Sequence, residues 1–320
     1  MNVLEDLKSL RLPVFAAPMF IISTPKMVIA QCKAGIVGSF PALNARGDGV
    51  FEAWLIEITE ELDRYNQANP DNPAAPFAVN QIVFKTNTRL HQDIELCAKY
   101  KVPVQITSLG AVAEVNDAAH SYGGIVFHDV INQKYAHKAI EKGADGLITV
   151  AAGAGGHAGQ QSPFALVQET REWFDGPIAL SGCIATGNSV LAAQAMGADF
   201  GYIGSAFIAT EEANADQAYK QMVVDSDADD IVYSDYFSGV HGNYLKPSIE
   251  KAGLDPSALP DADPSNMLDF AEDKPDAKAW KDIWGCGQGI GAVDEITTVQ
   301  ARVDQMVAEY QAARQKLGLS

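Results

Sequence analysis

The chain has few cysteines, no long apolar run and little positive charge, and each shortage excludes a class of protein. Its four cysteines lie far apart and form no CxxC pair, which disfavours a disulfide framework or a zinc site and predicts reduced thiols without a bound metal. No run approaches the roughly 18 apolar residues of a membrane helix, and the start MNVLEDLKSL lacks the basic-then-apolar pattern of a signal peptide. We therefore expect a cytoplasmic protein that does not bind a membrane.

The charge balance disfavours nucleic acid as a partner. Lysine and arginine number 23 against 41 aspartate and glutamate residues, a formal charge of −18 at pH 7, and such a surface repels phosphate backbones. A bound phosphate group must therefore be held mainly by backbone N–H groups. The GxGxxG fingerprint of dinucleotide-binding folds is also missing from the first predicted strand, which disfavours FAD.

Eight short apolar, β-branched runs recur along the 320 residues, each followed by a helix-like stretch. Such alternation indicates parallel strands with helical crossovers, and eight units predict an α/β fold, a (β/α)8 TIM barrel. The predicted strands are 13–18, 35–40, 76–82, 102–108, 124–130, 145–153, 177–182 and 199–205.

The alternation stops after residue 210, where acidic pieces such as DSDADD (225–230) and LDPSALPDADPSN (254–266) follow. We interpret 211–285 as an inserted lid and substrate subdomain after the eighth strand. Residues 1–210 and 286–320 then form the barrel, and 294–317 is its last helix because apolar residues recur there at near-helical spacing.

Three glycine-rich segments fall at the carboxyl ends of predicted strands, where barrel enzymes carry their chemistry. SGCIATGN (181–188) and GSAFIAT (204–210) are glycine turns that open onto helices and aim N–H groups at an anion. In AAGAGGHAG (151–159) the glycines let the backbone approach a flat ligand, and His157 can exchange protons near pH 7. FMN, a planar cofactor with one phosphate, fits this pattern; the alternative is a surface loop with an incidental histidine.

Polar residues at other strand ends are candidates for the pyrimidine edge of a flavin, which offers donors and acceptors. Asn80 ends the third strand, Gln105 lies on the fourth, and His128 and Asp129 end the fifth. Each has an alternative role in capping its own turn. Met19, after the first strand, has an alternative role as apolar packing.

These segments, in this order and spacing, resemble the nitronate monooxygenases, formerly called 2-nitropropane dioxygenases, which are FMN-dependent (β/α)8 barrels. The resemblance rests on AAPM (16–19), the asparagine of FAVNQI, AAGAGGHAG, SGCIATG and GSAFIAT. It extends to FSGVHGNYLKPSI (237–249) and WGCGQGIGAV (284–293), which look like the family's segments that close over the flavin.

The resemblance implies a role for each matched residue. It makes His157 the catalytic residue. The implied cofactor contacts are Ala17, Pro18 and Met19 along the isoalloxazine, Asn80 near the flavin, Gly155 and Gly156 in the turn after strand six, and Ser181, Gly182, Gly204 and Ser205 in the phosphate turns. The chain departs from the family at Cys183, where glycine is usual, at Ser205, where threonine is common, and at His128, where some relatives carry lysine.

The implied reaction is oxidation of an alkyl nitronate, with FMN and O2, to a carbonyl compound and nitrite. His157 would remove the α-proton when the substrate is the neutral nitroalkane. Two alternatives stay open: an NAD(P)H-dependent reductase of quinones or enoyl thioesters, since such relatives resemble the same AGGH segment, and a flavin-binding or sugar-phosphate-binding barrel without redox chemistry. The sequence leaves the physiological substrate and homodimer formation open.

Overall fold

The computed structural model describes residues 2–262 and 282–319, so residues 263–281 of the predicted insertion lie outside the described residues, as does the end of its piece at 254–266. The described strands are β1 (Val14–Ala16), β2 (Gly38–Pro41), β3 (Phe77–Ile82), β4 (Val104–Ser108), β5 (Ile125–Val130), β6 (Gly146–Val150), β7 (Gly156–His157), β8 (Ile178–Ser181), β9 (Phe200–Ile203), β10 (Ile231–Ser234) and β11 (Gly242–Leu245).

Eight of these strands form one parallel sheet in the order β1, β9, β8, β6, β5, β4, β3, β2. A parallel pairing of Phe15 with Val37, just before β2, joins the two edge strands. Each of the eight strands lies within, or one residue beyond, a predicted one, and the predicted (β/α)8 barrel is confirmed.

Most of the described helices cover the outside of the sheet. The described helices are α1 (Val3–Lys8), α2 (Pro25–Ala34), α3 (Val50–Ala68), α4 (Leu90–Lys99), α5 (Ala113–His120), α6 (Gln133–Glu141), α7 (Pro163–Arg171), α8 (Gly187–Met196), α9 (Ser205–Ile208), α10 (Gln217–Asp225), α11 (Lys246–Lys251) and α12 (Val299–Lys316). Of these, α1 instead packs Val3 and Leu7 against the barrel interior, and α10 and α11 follow the barrel strands. Among residues 2–262 and 282–319, no helix has the length and apolar character needed to cross a bilayer.

Alternate residues of the barrel strands face a common apolar interior. Phe15 lies at its centre, with its ring centroid 5.1 Å from that of Phe127 and 5.2 Å from that of Phe200. Towards the carboxyl ends of the strands, the next inward positions are polar: Asn80 on β3, Ser108 on β4, Asp129 on β5 and Tyr202 on β9. The apolar interior therefore closes the barrel beneath a polar end, which we call the barrel mouth.

The chain leaves the barrel after α9 and returns to it at α12, and we call the segment between these two helices the excursion. Thr210 and Thr297 pair in parallel at the base of this excursion, and Glu211 N donates to Thr297 O at 2.9 Å. α12 then packs on α8, where Tyr310 donates a 2.5 Å hydrogen bond to Gln194 Oε1. Both ends of the excursion are thus fixed at one place on the barrel.

A second, antiparallel sheet joins the excursion to the glycine-rich segment after β6. Its order is β10, β11, β7. Gly242 of β11 pairs with His157, and Asn243 pairs with Gly156. The backbone of the predicted catalytic histidine is therefore one strand of a sheet that the excursion supplies.

Candidate active site

A small cavity lies between the ends of β6, β8 and β9. It brings together five of the predicted cofactor residues: Gly155, Ser181, Gly182, Gly204 and Ser205. A Cβ atom at Gly155 would lie 2.9 Å from Gly287 N and 3.0 Å from Ser205 Oγ, and one at Gly182 would lie 2.8 Å from Ala152 O. The walls are therefore bare backbone, as a site for a phosphate held by N–H groups requires.

Cys183 shows why glycine suits its position in the first turn. Its φ is +58°, in the left-handed region, and it follows Gly182 with φ +133°. A side chain with a Cβ is strained in this region. Burial raises the pKa of the Cys183 thiol, so the thiol is protonated at pH 7.

Residues 287–289 cover the cavity from the side of the excursion. Gly287 N donates to Ser205 Oγ at 2.9 Å, and Gln288 N donates to Gly153 O at 2.9 Å. Gly289 lies so close to Cys183 that a Cβ would be 3.0 Å from its carbonyl carbon. The sequence marked this segment only through its resemblance to a family element.

The segment after β1 lies against the second turn. A Cβ atom at Gly204 would lie 3.4 Å from Ala17 Cβ and 3.6 Å from Met19 Sδ. Pro18 lies between these two residues, and Asn44 Nδ2 fixes the segment by donating to Met19 O at 3.0 Å. The structure thus places the predicted residues 17–19 beside Gly204, next to the glycine cavity.

A hydrogen-bond chain that the sequence did not reveal holds the His157 side chain. Nε2 of His157 lies 3.0 Å from Ser238 Oγ, which donates to Val240 O at 3.0 Å and lies 3.2 Å from the Tyr244 hydroxyl. Ser238 thus holds the ring through its Nε2 atom and links it to Val240 and Tyr244.

Burial lowers the pKa of His157 to about 4. Burial disfavours the charged imidazolium, so the ring is neutral at pH 7.

Three further contacts attach the backbone around His157 to the excursion. Asn243 Nδ2 donates to Ala154 O at 2.6 Å, and the Tyr233 hydroxyl donates to Ala158 O at 2.9 Å. Ala158 N donates to His241 O at 3.2 Å. Partners 75 to 89 residues away in the chain fix this loop, so no local pattern could have shown them.

Side chains build the opposite side of the mouth. Asn80 Nδ2 donates to Ser108 Oγ at 2.7 Å and to Ile106 O at 3.3 Å. Burial raises the pKa of Asp129 to about 6, while hydrogen bonds from the Ser108 hydroxyl and the Leu109 N–H act in the opposite direction. Asn80 is thus inside the barrel, as a flavin contact needs to be.

Two predicted cofactor residues, Gln105 and His128, are not brought to the mouth. Gln105 Nε2 donates to the Tyr122 hydroxyl at 3.1 Å, between the sheet and the helices. His128 Nδ1 lies 2.5 Å from Thr107 Oγ1, and burial, with a smaller contribution from Lys138, lowers its pKa to about 4. Both side chains point outward because successive residues of a strand face opposite sides. The same alternation directs the side chain of Asp129, which follows His128, into the barrel.

Within the described part of the chain, His, Cys, Asp and Glu side chains do not gather in a group of three that could hold a metal ion. The four cysteine thiols are free, and Cys183 alone among them is exposed.

The chain was compared with known proteins. The family model described as nitronate monooxygenase matches residues 2–309. A probable nitronate monooxygenase of Bacillus subtilis is 25% identical over 97% of this chain and 99% of its own length. A Mycobacterium tuberculosis protein named as a monooxygenase is 26% identical over 61% of this chain, which spans 55% of that relative.

Two solved structures share the fold. FabK from Thermotoga maritima has a TM-score of 0.77 and 22% identity, with 99% of this chain and 98% of that chain covered. Nitroalkane oxidase from Streptomyces ansochromogenes has a TM-score of 0.74 and 22% identity, with 97% and 99% covered. At this identity the likeness shows the architecture alone.

Proposed function

Because the chain belongs to the nitronate monooxygenase family, whose members are flavin-dependent oxidoreductases, we propose that it is an FMN-dependent enzyme that oxidises alkyl nitronates, with O2, to a carbonyl compound and nitrite. The observation that carries this proposal is the meeting of two glycine turns at one cavity that Gly155 also lines, two residues from the half-buried His157, whose ring is neutral at pH 7. Cytoplasmic location and homodimer formation stay predictions from the sequence.

The residues around the cavity fit a cofactor with one phosphate. Gly155, Gly182 and Gly204 bring bare backbone to the cavity, and the turns at 181–183 and 204–205 line it without bulky side chains. A chain with charge −18 has to hold phosphate in this way. In this proposal these glycines and Ser205 hold the phosphate, and residues 17–19 lie along the ring system.

When bound, FMN supplies the electron acceptor for the nitronate and the electron donor for O2. The chain binds the substrate beside the cofactor and accepts the proton that the substrate loses. In this proposal His157 accepts the α-proton when the substrate is a neutral nitroalkane, and Ser238 holds the ring through its contact with Nε2. The nitronate anion formed next to the ring offsets the desolvation of the imidazolium.

A nitronate supplied as the anion has already lost its α-proton. In that case His157 only orients the substrate and balances its charge, and β11 fixes the position of the ring. Residues 287–289 and the excursion cover the cavity, which keeps water from the reacting groups.

The test is an anaerobic titration of the purified protein, followed through the flavin absorption bands. Propyl nitronate, NADH and NADPH are added separately to equal samples, and the released cofactor is identified after denaturation. We expect FMN, and bleaching by propyl nitronate. Rapid bleaching by NADH or NADPH together with none by the nitronate would establish a reductase instead. A colourless protein that binds no added FMN would refute the proposal.

A further inference from the structure

The proposed mechanism leaves a half-buried carboxyl group at the mouth, that of Asp129, without a role. Asp129 occupies the last inward position of β5, two residues after Phe127, whose ring belongs to the apolar interior. Asp129 therefore lies directly above the apolar interior, on the side of β5 opposite to His128.

Three donors are arranged in sequence towards this carboxyl. Asn80 Nδ2 donates to Ser108 Oγ, which leaves the Ser108 proton for Asp129, and Leu109 N–H donates to the same carboxyl. Leu109 adopts φ +63°, in the strained left-handed region. Hydrogen bonds to a carboxylate favour its charged form, so the surroundings of Asp129 hold a negative charge against the cost of burial.

Tyr202 connects this charge to the glycine cavity. Tyr202 is one of the residues that line the cavity, with Gly182 and Gly204. Burial, and to a smaller extent the nearby Asp129 carboxylate, raise the pKa of the Tyr202 hydroxyl. Tyr202 therefore borders the cavity that would hold the phosphate and lies within the electrostatic reach of Asp129.

We propose that Asp129 is the fixed negative charge that faces the flavin from the barrel interior, where it disfavours the reduced, more negative form of the cofactor and lowers its reduction potential. This inference rests on the proposed function, because it requires that the chain holds FMN. A fixed negative charge in a partly buried site opposes the addition of further negative charge nearby, and we expect this repulsion to shift the redox equilibrium about tenfold.

The experiment compares wild type with Asp129→Asn at pH 8, above the pKa of about 6 for this carboxyl. Asparagine keeps an oxygen that can accept from Ser108 and Leu109, so the variant removes the charge and preserves the contacts. The readouts are the midpoint potential of the bound flavin and its dissociation constants in the oxidised and reduced states, without turnover. We expect the variant to favour the reduced state about tenfold, a positive shift of ~30 mV for a two-electron couple.

Two control variants test whether the change in potential is specific to Asp129. His128→Asn changes the neighbouring residue on the outer face, and Asp93→Asn removes a buried carboxyl on α4, next to Arg89. Both should leave the potential within a few millivolts of wild type, roughly a tenth of the tenfold-equivalent shift. Equal potentials in Asp129→Asn and wild type, or an equal shift in His128→Asn, would overturn the inference.

Asp129→Ser serves as a second neutral variant if Asp129→Asn does not fold, and the same shift is expected. A wild-type protein that binds no FMN would overturn both the proposed function and this inference. Bound FMN with an unshifted potential would overturn only the role of Asp129.

Discussion

The two sides of the barrel mouth are built from different parts of the chain. On the side of β6, β8 and β9, which we call the glycine side, the walls are backbone, and a Cβ at Gly155 or Gly182 would meet another atom within 3.0 Å. On the side of β3, β4 and β5, which we call the polar side, the walls are the side chains of Asn80, Ser108 and Asp129. Shape therefore decides binding on the glycine side, whereas charge and hydrogen bonding decide it on the polar side.

The largest expected effect concerns the histidine that the glycine side carries. In His157→Ala, turnover of a neutral nitroalkane should fall about 10²-fold or more, and turnover of pre-formed nitronate should fall far less, because only the first needs proton removal. FMN should stay bound, since backbone holds it. The measurement is kcat/KM for both substrate forms at one pH, with the flavin spectrum as a check.

Ser238→Ala is the matched variant for that comparison. It keeps the imidazole and removes the 3.0 Å contact to Nε2, so the loss on nitroalkane should be smaller, about tenfold, which corresponds to one lost hydrogen bond of ~1.4 kcal/mol. An equal loss on nitroalkane and nitronate in His157→Ala would assign the ring to substrate binding and not to proton transfer.

A second prediction tests whether the glycine side acts through shape. In Gly204→Ala the new methyl would make ordinary contacts with Ala17 and Met19 at 3.4 Å and 3.6 Å, so the protein should fold, but the methyl takes space at the cofactor. The FMN dissociation constant should rise at least tenfold, or about 1.4 kcal/mol. Equilibrium dialysis with FMN measures it.

Gly201→Ala is the control on the same strand. Its methyl would lie 3.4 to 3.6 Å from Val190, Ile184 and Val14, away from the mouth, so FMN affinity should not change. Thermal unfolding of both cofactor-free variants checks that they are equally folded. Equal weakening of FMN binding in the two variants would remove the distinction between backbone and side-chain walls.

A third prediction concerns the outer face of the polar side. The folded pKa of His128 is about 4, below the usual 6.5 of an unfolded histidine, so at pH 5 the unfolded chain binds a proton there and the folded chain does not. Stability is therefore lost as the pH falls from 7 towards 4. Between pH 7 and pH 5 the free energy of unfolding of His128→Asn should therefore fall less than that of wild type, by on the order of 1 kcal/mol.

Urea unfolding at the two pH values, for wild type and His128→Asn, supplies this difference. Identical acid sensitivity would mean that His128 is hydrated, as it would be at the mouth, and would return it to the list of cofactor contacts.

The smallest expected effect is at Cys183. Cys183→Gly removes the strain of a left-handed residue with a Cβ, which stabilises the folded chain by about 1 kcal/mol. The greater conformational freedom of glycine in the unfolded chain offsets part of this gain. The net gain in unfolding free energy should be roughly 0.5 kcal/mol. Lys101→Gly, at φ +49° and away from the mouth, should gain a similar amount without any change in FMN affinity. Loss of stability in Cys183→Gly would mean that the thiol packs favourably enough to outweigh its strain.

The glycine side could be predicted from the sequence because glycine itself reports what the backbone must do. The turns at 155–156, 181–182 and 204–205 meet at one cavity. The eight barrel strands could also be predicted from the sequence, because their apolar runs are continuous.

The polar side could be predicted only in part. Asn80 faces the mouth, but Gln105 and His128 face the helices, since which side a residue faces depends on strand register, and a shift of one residue reverses it. Ser238 and Tyr244 reach His157 across 81 residues of chain or more. Contacts of that range leave no periodic trace in the sequence.

The pairing of β7 with β11 makes the position of the histidine loop depend on the excursion. A protein in which the excursion is replaced also has a different strand hydrogen-bonded to Gly156 and His157. The histidine loop and the excursion therefore form one unit that has to be exchanged together. A chimera of two relatives that is joined at Thr210 and Thr297, where the chain leaves and re-enters the barrel, should accordingly also take residues 151–159 from the parent that supplies the excursion, so that the histidine loop keeps its matching strand.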